Sequence, residues 1–195
     1  MKNKVLLIAA AALVLVIGAA SVLYSKLGEQ VAPDNLAVTE SSIPDESAES
    51  SSEEPEEVIV PDVALYNEDG TTVQLSEFFG KPIVLNFWAS WCGPCRSEMA
   101  DFNEAAAELE GEVQFIMLNS TDGQRETVET AAAFIEEMGY TFPVYYDVGQ
   151  QAAMIYGASA LPTTFFIDKD GHAVAYASGA IDAEMLQTGL DMIME

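Results

Sequence analysis

The sequence predicts an α/β domain over residues 58–195, in which a central mixed β-sheet is covered by helices on both faces. Three observations support this fold class. Residues 82–89 form a near-continuous apolar run, which is typical of a strand buried on both faces of a sheet. Helical and extended patterns then alternate along the chain, and the alternation ends in a β-hairpin and a helix.

The segment before this central strand predicts an N-terminal β-hairpin and a short helical turn. Residues 64–66 and 72–75 have extended patterns, and the four residues 67–70 between them have the sequence NEDG, which is rich in turn-forming residues. We expect Ser76 to cap one turn of helix, because a serine hydroxyl can accept a hydrogen bond from a backbone amide of the first turn, and we expect Gly80 to end it.

After the central strand, the sequence predicts alternating helices and strands up to the C-terminus. Apolar residues recur every three to four positions in the helical segments, glycines follow the first three of these helices, and short apolar runs separate them. The predicted elements are a helix that follows Cys95 and ends at Gly111, a strand at 113–118, a helix at 127–138, a strand at 143–146, a helix capped by Asp147 and running to Tyr156, a hairpin of 163–167 and 173–177, and a helix from Asp182 to about Ile193.

The N-terminal 24 residues are predicted to be a signal anchor. Residues 5–23 are nearly all apolar and carry no charge, and Lys2 and Lys4 precede them. A helix of this length spans roughly 28 Å at about 1.5 Å per residue, close to the hydrocarbon thickness of a bilayer. The small residues at 18–21 leave a cleaved signal peptide as the alternative. In both cases the lysines stay in the cytoplasm, and the rest of the chain is expected outside the membrane.

Residues 25–57 are predicted to form a disordered, acidic linker between the anchor and the domain, because they are rich in Ser, Glu, Ala and Pro and nearly lack large apolar groups. The formal net charge of the chain is −25. Residues 58–195 contain 22 acidic residues against four basic ones, so they carry −18 of it. Because a strongly negative charge repels phosphate backbones and anionic lipid headgroups, it argues against binding to nucleic acids or to anionic membranes. An acidic surface also helps to keep an exported domain soluble.

The two cysteines of the chain, Cys92 and Cys95, are two residues apart at the predicted junction of the central strand and the next helix. A structural disulfide is a poor explanation for this pair, because closing so small a loop removes little chain entropy. A zinc site needs about four ligands, and the chain adds only His172. The spacing therefore favours a redox-active pair that cycles between dithiol and disulfide.

The position of the pair at the start of the helix predicts different roles for the two thiols. Cys92 is expected beside the unpaired amide groups at the start of the helix, where a thiolate is stabilised. Cys95, one turn further along, is expected to be more buried and to act as the resolving thiol. Gly93 permits close approach of a partner backbone, Pro94 lies where a missing N–H costs little, and Trp91 is expected to form an apolar rim for partners.

Two ordered segments resemble the signatures of thioredoxin-like proteins. The first is Leu85-Asn86-Phe87-Trp88-Ala89-Ser90-Trp91-Cys92-Gly93-Pro94-Cys95, and the second is Ala160-Leu161-Pro162-Thr163-Thr164-Phe165-Phe166-Ile167-Asp168. Residues 58–195 are most similar to the membrane-anchored TlpA/ResA-type thiol-disulfide oxidoreductases. The resemblance implies a thioredoxin-like fold with an N-terminal β-hairpin and an extra helical insertion.

The resemblance also implies roles for residues outside the cysteine pair. In thioredoxin-like folds the proline at the position of Pro162 is cis and lies against the cysteines, while the backbone at Leu161 holds the partner's extended segment. ResA-type proteins carry a glutamate at the position of Glu98 as an acid-base group. Asn86 occupies the place of a buried aspartate of general thioredoxins and cannot accept a proton, so Glu98 is the nearest candidate carboxylate.

The expected function is that of an extracytoplasmic, membrane-tethered protein-disulfide reductase. The resemblance suggests apocytochrome c or other exported proteins as substrates and a membrane thiol carrier of the CcdA/DsbD type as the electron donor. No cofactor is expected beyond the redox-active disulfide, and we expect a monomer. The alternatives are a disulfide-forming oxidase, a peroxiredoxin-like peroxide reductase, and a non-catalytic docking module that uses the same fold.

Overall fold

A computed structural model describes residues 36–38 and 59–195 of the chain. The predicted signal anchor, residues 1–24, lies outside the described residues, as does most of the predicted linker, residues 25–57. None of the helices that the structure describes is long and apolar enough to cross a membrane.

The described residues contain eight strands, four α-helices and one 3₁₀ helix, in an alternating order that agrees with the sequence prediction from the hairpin onward. In chain order the elements are β1 (Leu36–Val38), β2 (Ala64–Tyr66), β3 (Thr72–Gln74), the 3₁₀ helix (Leu75–Phe78), β4 (Ile83–Trp88), α1 (Gly93–Glu108), β5 (Gln114–Asn119), α2 (Val128–Met138), β6 (Val144–Tyr146), α3 (Gln151–Ile155), β7 (Thr163–Ile167), β8 (Ala173–Ser178) and α4 (Ala183–Met194).

These strands form one mixed sheet in the order β1-β8-β7-β4-β5-β6-β2-β3. Strands β4, β5 and β6 are parallel to one another, while β7 and β8 form an antiparallel hairpin beside β4. Strands β2 and β3 form the predicted N-terminal hairpin at the other edge. The predicted fold class is therefore confirmed, and β4 lies in the middle of the sheet, where every one of its residues is buried.

One part of the predicted linker has regular structure. Strand β1 pairs antiparallel with β8, with Ala37 opposite Tyr176. The prediction of disorder for the whole of residues 25–57 is therefore wrong for these three residues. The physical reason is that β8 would otherwise be an edge strand, whose unpaired N–H and C=O groups offer a template for a short apolar segment of the same chain.

The residues of β4 alternate between two buried clusters, one on each face of the sheet. Val84 and Trp88 pack with residues of α1, α2 and α4, whereas Ile83, Leu85 and Phe87 pack with the 3₁₀ helix and α3. Asn86 shares the face of Val84 and Trp88, since side chains alternate along a strand. This places an amide side chain under α1, the helix that follows the cysteines.

Two local predictions about helix starts need correction. The turn predicted to begin at Ser76 is a 3₁₀ helix that follows Gln74, whose N–H donates to the Glu77 carboxylate at 2.8 Å. Ser76 instead donates through its N–H and its hydroxyl to Asp62, at 2.9 and 2.8 Å. The side chain that caps this turn is therefore the carboxylate of Glu77, which lies inside the turn, and not the predicted hydroxyl of Ser76.

The helix predicted from Asp147 begins four residues later, because Gln150 adopts a left-handed conformation with φ 58°. Asp147 still caps this helix, although it precedes the first helical residue by four positions. Its carboxylate oxygens accept the N–H groups of Ala152 at 2.9 Å and Ala153 at 2.8 Å, and all three residues are buried. A single carboxylate therefore connects the end of β6 to α3.

We expect the substitution Asp147→Ala to lower the free energy of unfolding by about 2 to 3 kcal/mol, because it leaves two buried N–H groups without an acceptor. Asp182→Ala is the matched control: Asp182 caps α4 at the surface through the N–H of Met185 at 2.9 Å, so its loss should cost about 1 kcal/mol. Urea unfolding followed by circular dichroism measures both values. Equal losses would contradict the capping role assigned to Asp147.

Candidate active site

The cysteine pair lies where β4 ends and α1 begins. Trp88 is the last residue of β4, and Gly93 and Pro94 are the first two residues of α1. Cys92 is the N-cap of this helix, and its sulfur accepts the N–H of Cys95 at 3.2 Å. A sulfur at this position faces the positive end of the helix dipole, which stabilises a thiolate when the pair is reduced.

Cys92 and Cys95 form a disulfide, so the structure represents the oxidised protein. Both cysteines are buried, Cys92 with 4% of its surface exposed and Cys95 with none. Cys92 also lines a groove at the surface, whereas Cys95 does not. A partner that occupies the groove therefore contacts Cys92 before Cys95.

Glu98 lies one turn after Cys95 and is 1% exposed. The Asn86 side-chain amide donates to one of its carboxylate oxygens at 2.9 Å, and the backbone N–H of Ile181 donates to the other at 2.9 Å. Burial raises the pKa of Glu98 to about 7, although these two hydrogen bonds act in the opposite direction. A carboxyl group beneath the cysteine pair thus exchanges its proton close to neutral pH.

Asn86 connects this carboxylate to the second signature segment. Its amide nitrogen also donates to the hydroxyl oxygen of Thr164 at 2.9 Å, and Thr164 lies opposite Asn86 on the neighbouring strand β7. An aspartate at this position would place a second carboxylate against Glu98. The amide instead supplies donors, which orient the Glu98 side chain.

The second signature segment reaches the same end of the sheet as the cysteines. The Leu161–Pro162 peptide bond is cis, as the resemblance implies. Leu161 is half-buried and Pro162 is buried. Leu161 lies on the wall of a groove that Cys92 also lines, while Pro162 lies behind that wall.

This groove beside Cys92 has a volume of about 810 Å³ and lies between the start of α1 and helix α3. Five of the predicted site residues line it, namely Trp91, Cys92, Gly93, Pro94 and Leu161. Trp91 is 42% exposed at its rim, and Met154 of α3 on its wall is 79% exposed. The remaining predicted site residues, Cys95, Glu98 and Pro162, are buried behind it. Large exposed apolar side chains around a concave surface are typical of an interaction site.

Sequence reasoning missed a buried carboxylate that holds the loop before Cys92. The two oxygens of Glu126 accept the N–H and the hydroxyl of Ser90, at 2.8 and 2.7 Å, and one of them also accepts the Asn119 side-chain amide at 2.7 Å. Glu126 is 36 residues from Ser90 in sequence and follows an exposed polar loop, so no local spacing predicts this contact.

The residue before Glu126 was missed as well. The guanidinium carbon of Arg125 lies 3.7 Å from the centre of the Trp91 ring, which is a cation–π contact at the rim of the groove. The loop after β5 therefore contacts the active-site loop through two consecutive residues, Glu126 inside the protein and Arg125 on its surface.

Comparison with known proteins gives one family and a consistent set of relatives. Residues 58–176 match the model of the AhpC/TSA family. The chain is 37% identical to the thiol-disulfide oxidoreductase ResA of Oceanobacillus iheyensis over 125 residues, which are 64% of this chain and 64% of that protein. It is 36% identical to ResA of Bacillus thuringiensis over 134 residues, 68% of this chain and 75% of that protein.

A solved structure shows the same architecture. The thiol:disulfide interchange protein DsbE of Chlorobium tepidum superposes with a TM-score of 0.63 at 29% sequence identity, covering 70% of this chain and 96% of that one. The chain spans a little under two thirds of the length of the O. iheyensis protein.

Proposed function

The chain belongs to the AhpC/TSA family and, within it, to the ResA-type thiol-disulfide oxidoreductases, and from this premise we propose that it reduces disulfide bonds in exported proteins. One observation carries the proposal: Cys92, at the start of α1, lines a surface groove, whereas the other cysteine of the disulfide is fully buried and does not line it. This arrangement suits a protein that reacts at one sulfur and releases its partner through the other.

The proposed reaction begins with the reduced pair. The Cys92 thiolate attacks one sulfur of the partner disulfide, the partner's second sulfur leaves as a thiolate, and a mixed disulfide forms. Cys95 then loses its proton and attacks the Cys92 sulfur, which releases the first partner sulfur as a thiolate. Two electrons pass from the cysteine pair to the partner, and Cys92–Cys95 is left as the disulfide seen in the structure.

Glu98 is proposed to accept the proton that Cys95 loses. A buried thiol ionises reluctantly, because burial disfavours the thiolate, so a nearby base speeds the resolving step. The pKa of Glu98, raised to about 7 by burial, makes its carboxylate a base matched to neutral pH. The Asn86 amide orients this carboxylate and does not compete for the proton.

The groove beside Cys92 is proposed to bind the partner. Leu161 precedes the cis proline and lines the groove, which supports the proposal that its backbone pairs with an extended segment that carries the target disulfide. Trp91 forms the apolar rim, and Gly93 and Pro94 leave room for the partner backbone next to the sulfur.

The cellular setting is also part of the proposal. The apolar run at 5–23 supports a single membrane anchor with the domain outside the cytoplasm. Apocytochrome c or other exported proteins are the proposed substrates. A membrane carrier of the CcdA/DsbD type is the proposed donor, because the outside of the cell lacks the cytoplasmic reducing pool. The disulfide serves as the only redox group, and the protein acts as a monomer.

The direction of electron flow is tested by the reduction potential of the Cys92–Cys95 pair. Gly93 and Pro94 between the cysteines resemble the pair of reducing thioredoxins, so we expect a potential nearer to about −270 mV than to about −120 mV, the values of thioredoxin and of a strong oxidant. Equilibration of the full chain with glutathione buffers measures it. A potential of about −120 mV would contradict the proposed reductase and indicate a disulfide-forming oxidase. Consumption of peroxide by the dithiol form would indicate a peroxide reductase.

A further inference from the structure

The few cations of the domain are unevenly placed. Residues 58–195 contain Lys81, Arg96, Arg125 and Lys169 against 22 acidic residues. The two lysines lie at the end of the sheet where β4 begins, since Lys81 precedes β4 and the Lys169 carbonyl accepts the N–H of Gly80 at 2.7 Å. The length of β4, about 20 Å, separates that end from the cysteines. Of the residues that the structure describes, Arg125 is the charged one that lines the groove.

Arg125 lies with its guanidinium over the Trp91 ring at 3.7 Å. Stacking on an aromatic face leaves the in-plane N–H donors free to bind a carboxylate. Within residues 59–195, no carboxylate forms a salt bridge with Arg125. Two acidic residues lie close to Arg125 in sequence. Glu126 is buried and bonded to Ser90 and Asn119. One oxygen of Asp122 accepts the N–H groups of Gln124, Arg125 and Glu126 at 2.7, 2.8 and 2.9 Å, and these hydrogen bonds, together with the charge of Arg125, lower the Asp122 pKa without a salt bridge between the two side chains.

The backbone that carries Arg125 is fixed from both sides. On one side, Asp122 holds three consecutive N–H groups of the loop. On the other, Glu126 is buried and bonded to Ser90 and Asn119. A ligand that binds the guanidinium therefore orders a side chain on a backbone that is already rigid, which lowers the entropy cost of binding.

The groove also has an apolar wall beside Arg125. Trp91, Ala153, Met154 and Leu161 line it, and Met154 is 79% exposed. An apolar wall of this kind binds a hydrophobic side chain of a partner segment, and a cation at its rim binds an anionic group on the same segment.

We propose that Arg125 makes the groove selective for partner segments that carry a carboxylate within a few residues of the target cysteine. The inference rests on the proposed reductase function and names the class of substrate that the groove prefers. In a domain of strongly negative net charge, this guanidinium supplies a local positive charge at the groove, to which an acidic side chain of the partner can bind.

The test compares two peptide disulfides that differ in one residue. Each peptide has one cysteine, is oxidised to its symmetrical disulfide, and carries either Glu or Gln two residues from that cysteine. The reduced full-length protein is mixed with each peptide, and the second-order rate constant of reduction is measured at low and high salt. We expect the Glu peptide to react about fivefold faster than the Gln peptide at low salt, with the ratio falling as salt screens the pair.

Variants test whether the ratio of the two rate constants depends on Arg125. In Arg125→Gln the ratio should fall to about one or below, because the acidic domain then repels the Glu peptide without compensation. Arg125→Glu should lower it further. Lys169→Gln is the matched control, since it removes the same charge from the opposite end of β4, and it should keep the wild-type ratio. The comparison uses the ratio within each variant, so a change in overall rate does not affect it.

The outcomes separate the inference from the function on which it rests. Equal rates for the two peptides in the wild type, or the same ratio in wild type and Arg125→Gln, would overturn the preference and leave the reductase in place. Failure of the wild type to reduce both peptides and the uncharged hydroxyethyl disulfide would overturn the proposed function itself. If Arg125→Gln does not fold, the salt dependence of the wild-type rate ratio still tests the inference. A ratio that does not change with salt would contradict an ion pair between Arg125 and the peptide carboxylate.

Discussion

Replacement of Cys95 by serine is expected to abolish turnover and to leave partners attached to Cys92 through a disulfide. Cys92 lines the groove, so it can still attack a partner, whereas the fully buried residue 95 can no longer release it. The rate of partner reduction should fall to the uncatalysed level. Covalent complexes should accumulate that run at higher mass on a non-reducing gel and disappear with dithiothreitol.

The matched control is Cys92→Ser, which should lose turnover without trapping a partner, because Cys95 lies behind the groove rather than on its wall. Expression of Cys95→Ser in the native host, followed by identification of the trapped proteins, also tests the proposed apocytochrome c substrate. Binding of partners that needs neither cysteine, with no covalent species, would indicate a docking module in place of an enzyme.

Glu98→Gln is expected to remove a large pH dependence from the stability of the oxidised protein. The pKa of Glu98 is raised by burial from an ordinary value of 4.5 to about 7. Its contribution to stability is therefore fully present below pH 4.5, and it is lost as the pH rises through 7. Between pH 4.5 and pH 7, the free energy of unfolding should fall by up to about 3 kcal/mol more in the wild type than in the glutamine variant.

The same substitution should slow the resolving step. A glutamine side chain cannot accept a proton from Cys95, so single-turnover release of a mixed disulfide at pH 7 should slow by at least about tenfold, and the inflection of the pH–rate profile near the Glu98 pKa should disappear. Glu104→Gln removes the same charge from an exposed position of α1 and is the control for both measurements. A pH–rate profile shared by all three proteins would contradict proton transfer by Glu98.

The sequence predicted most of the fold because its signals are local. The apolar run of β4, the hairpin turn at 67–70 and the glycine that follows α2 each act through neighbouring residues, and the structure has all three. The cysteine pair was identified in the same way, from a short motif whose chemistry depends on its spacing, whereas the role of Pro162 was predicted from the family resemblance.

Other features of the site depend on contacts between distant residues. The backbone N–H that binds the buried Glu98 carboxylate comes from Ile181, 83 residues away, and helical periodicity alone does not distinguish a buried glutamate from an exposed one. The Glu126 bonds to Ser90 and the stacking of Arg125 on Trp91 are equally remote in sequence. Strand β1 was missed for a similar reason, because its partner is the edge of β8.

The position of Cys92 on the groove wall, with Cys95 buried behind it, also constrains how the protein exchanges its partners. Cys92 must attack the substrate, and the same sulfur is the accessible target for the electron donor that restores the dithiol. Substrate and donor therefore cannot occupy the active site together. Turnover should follow a ping-pong scheme, in which the two proteins alternate at one face and an excess of either competes with the other.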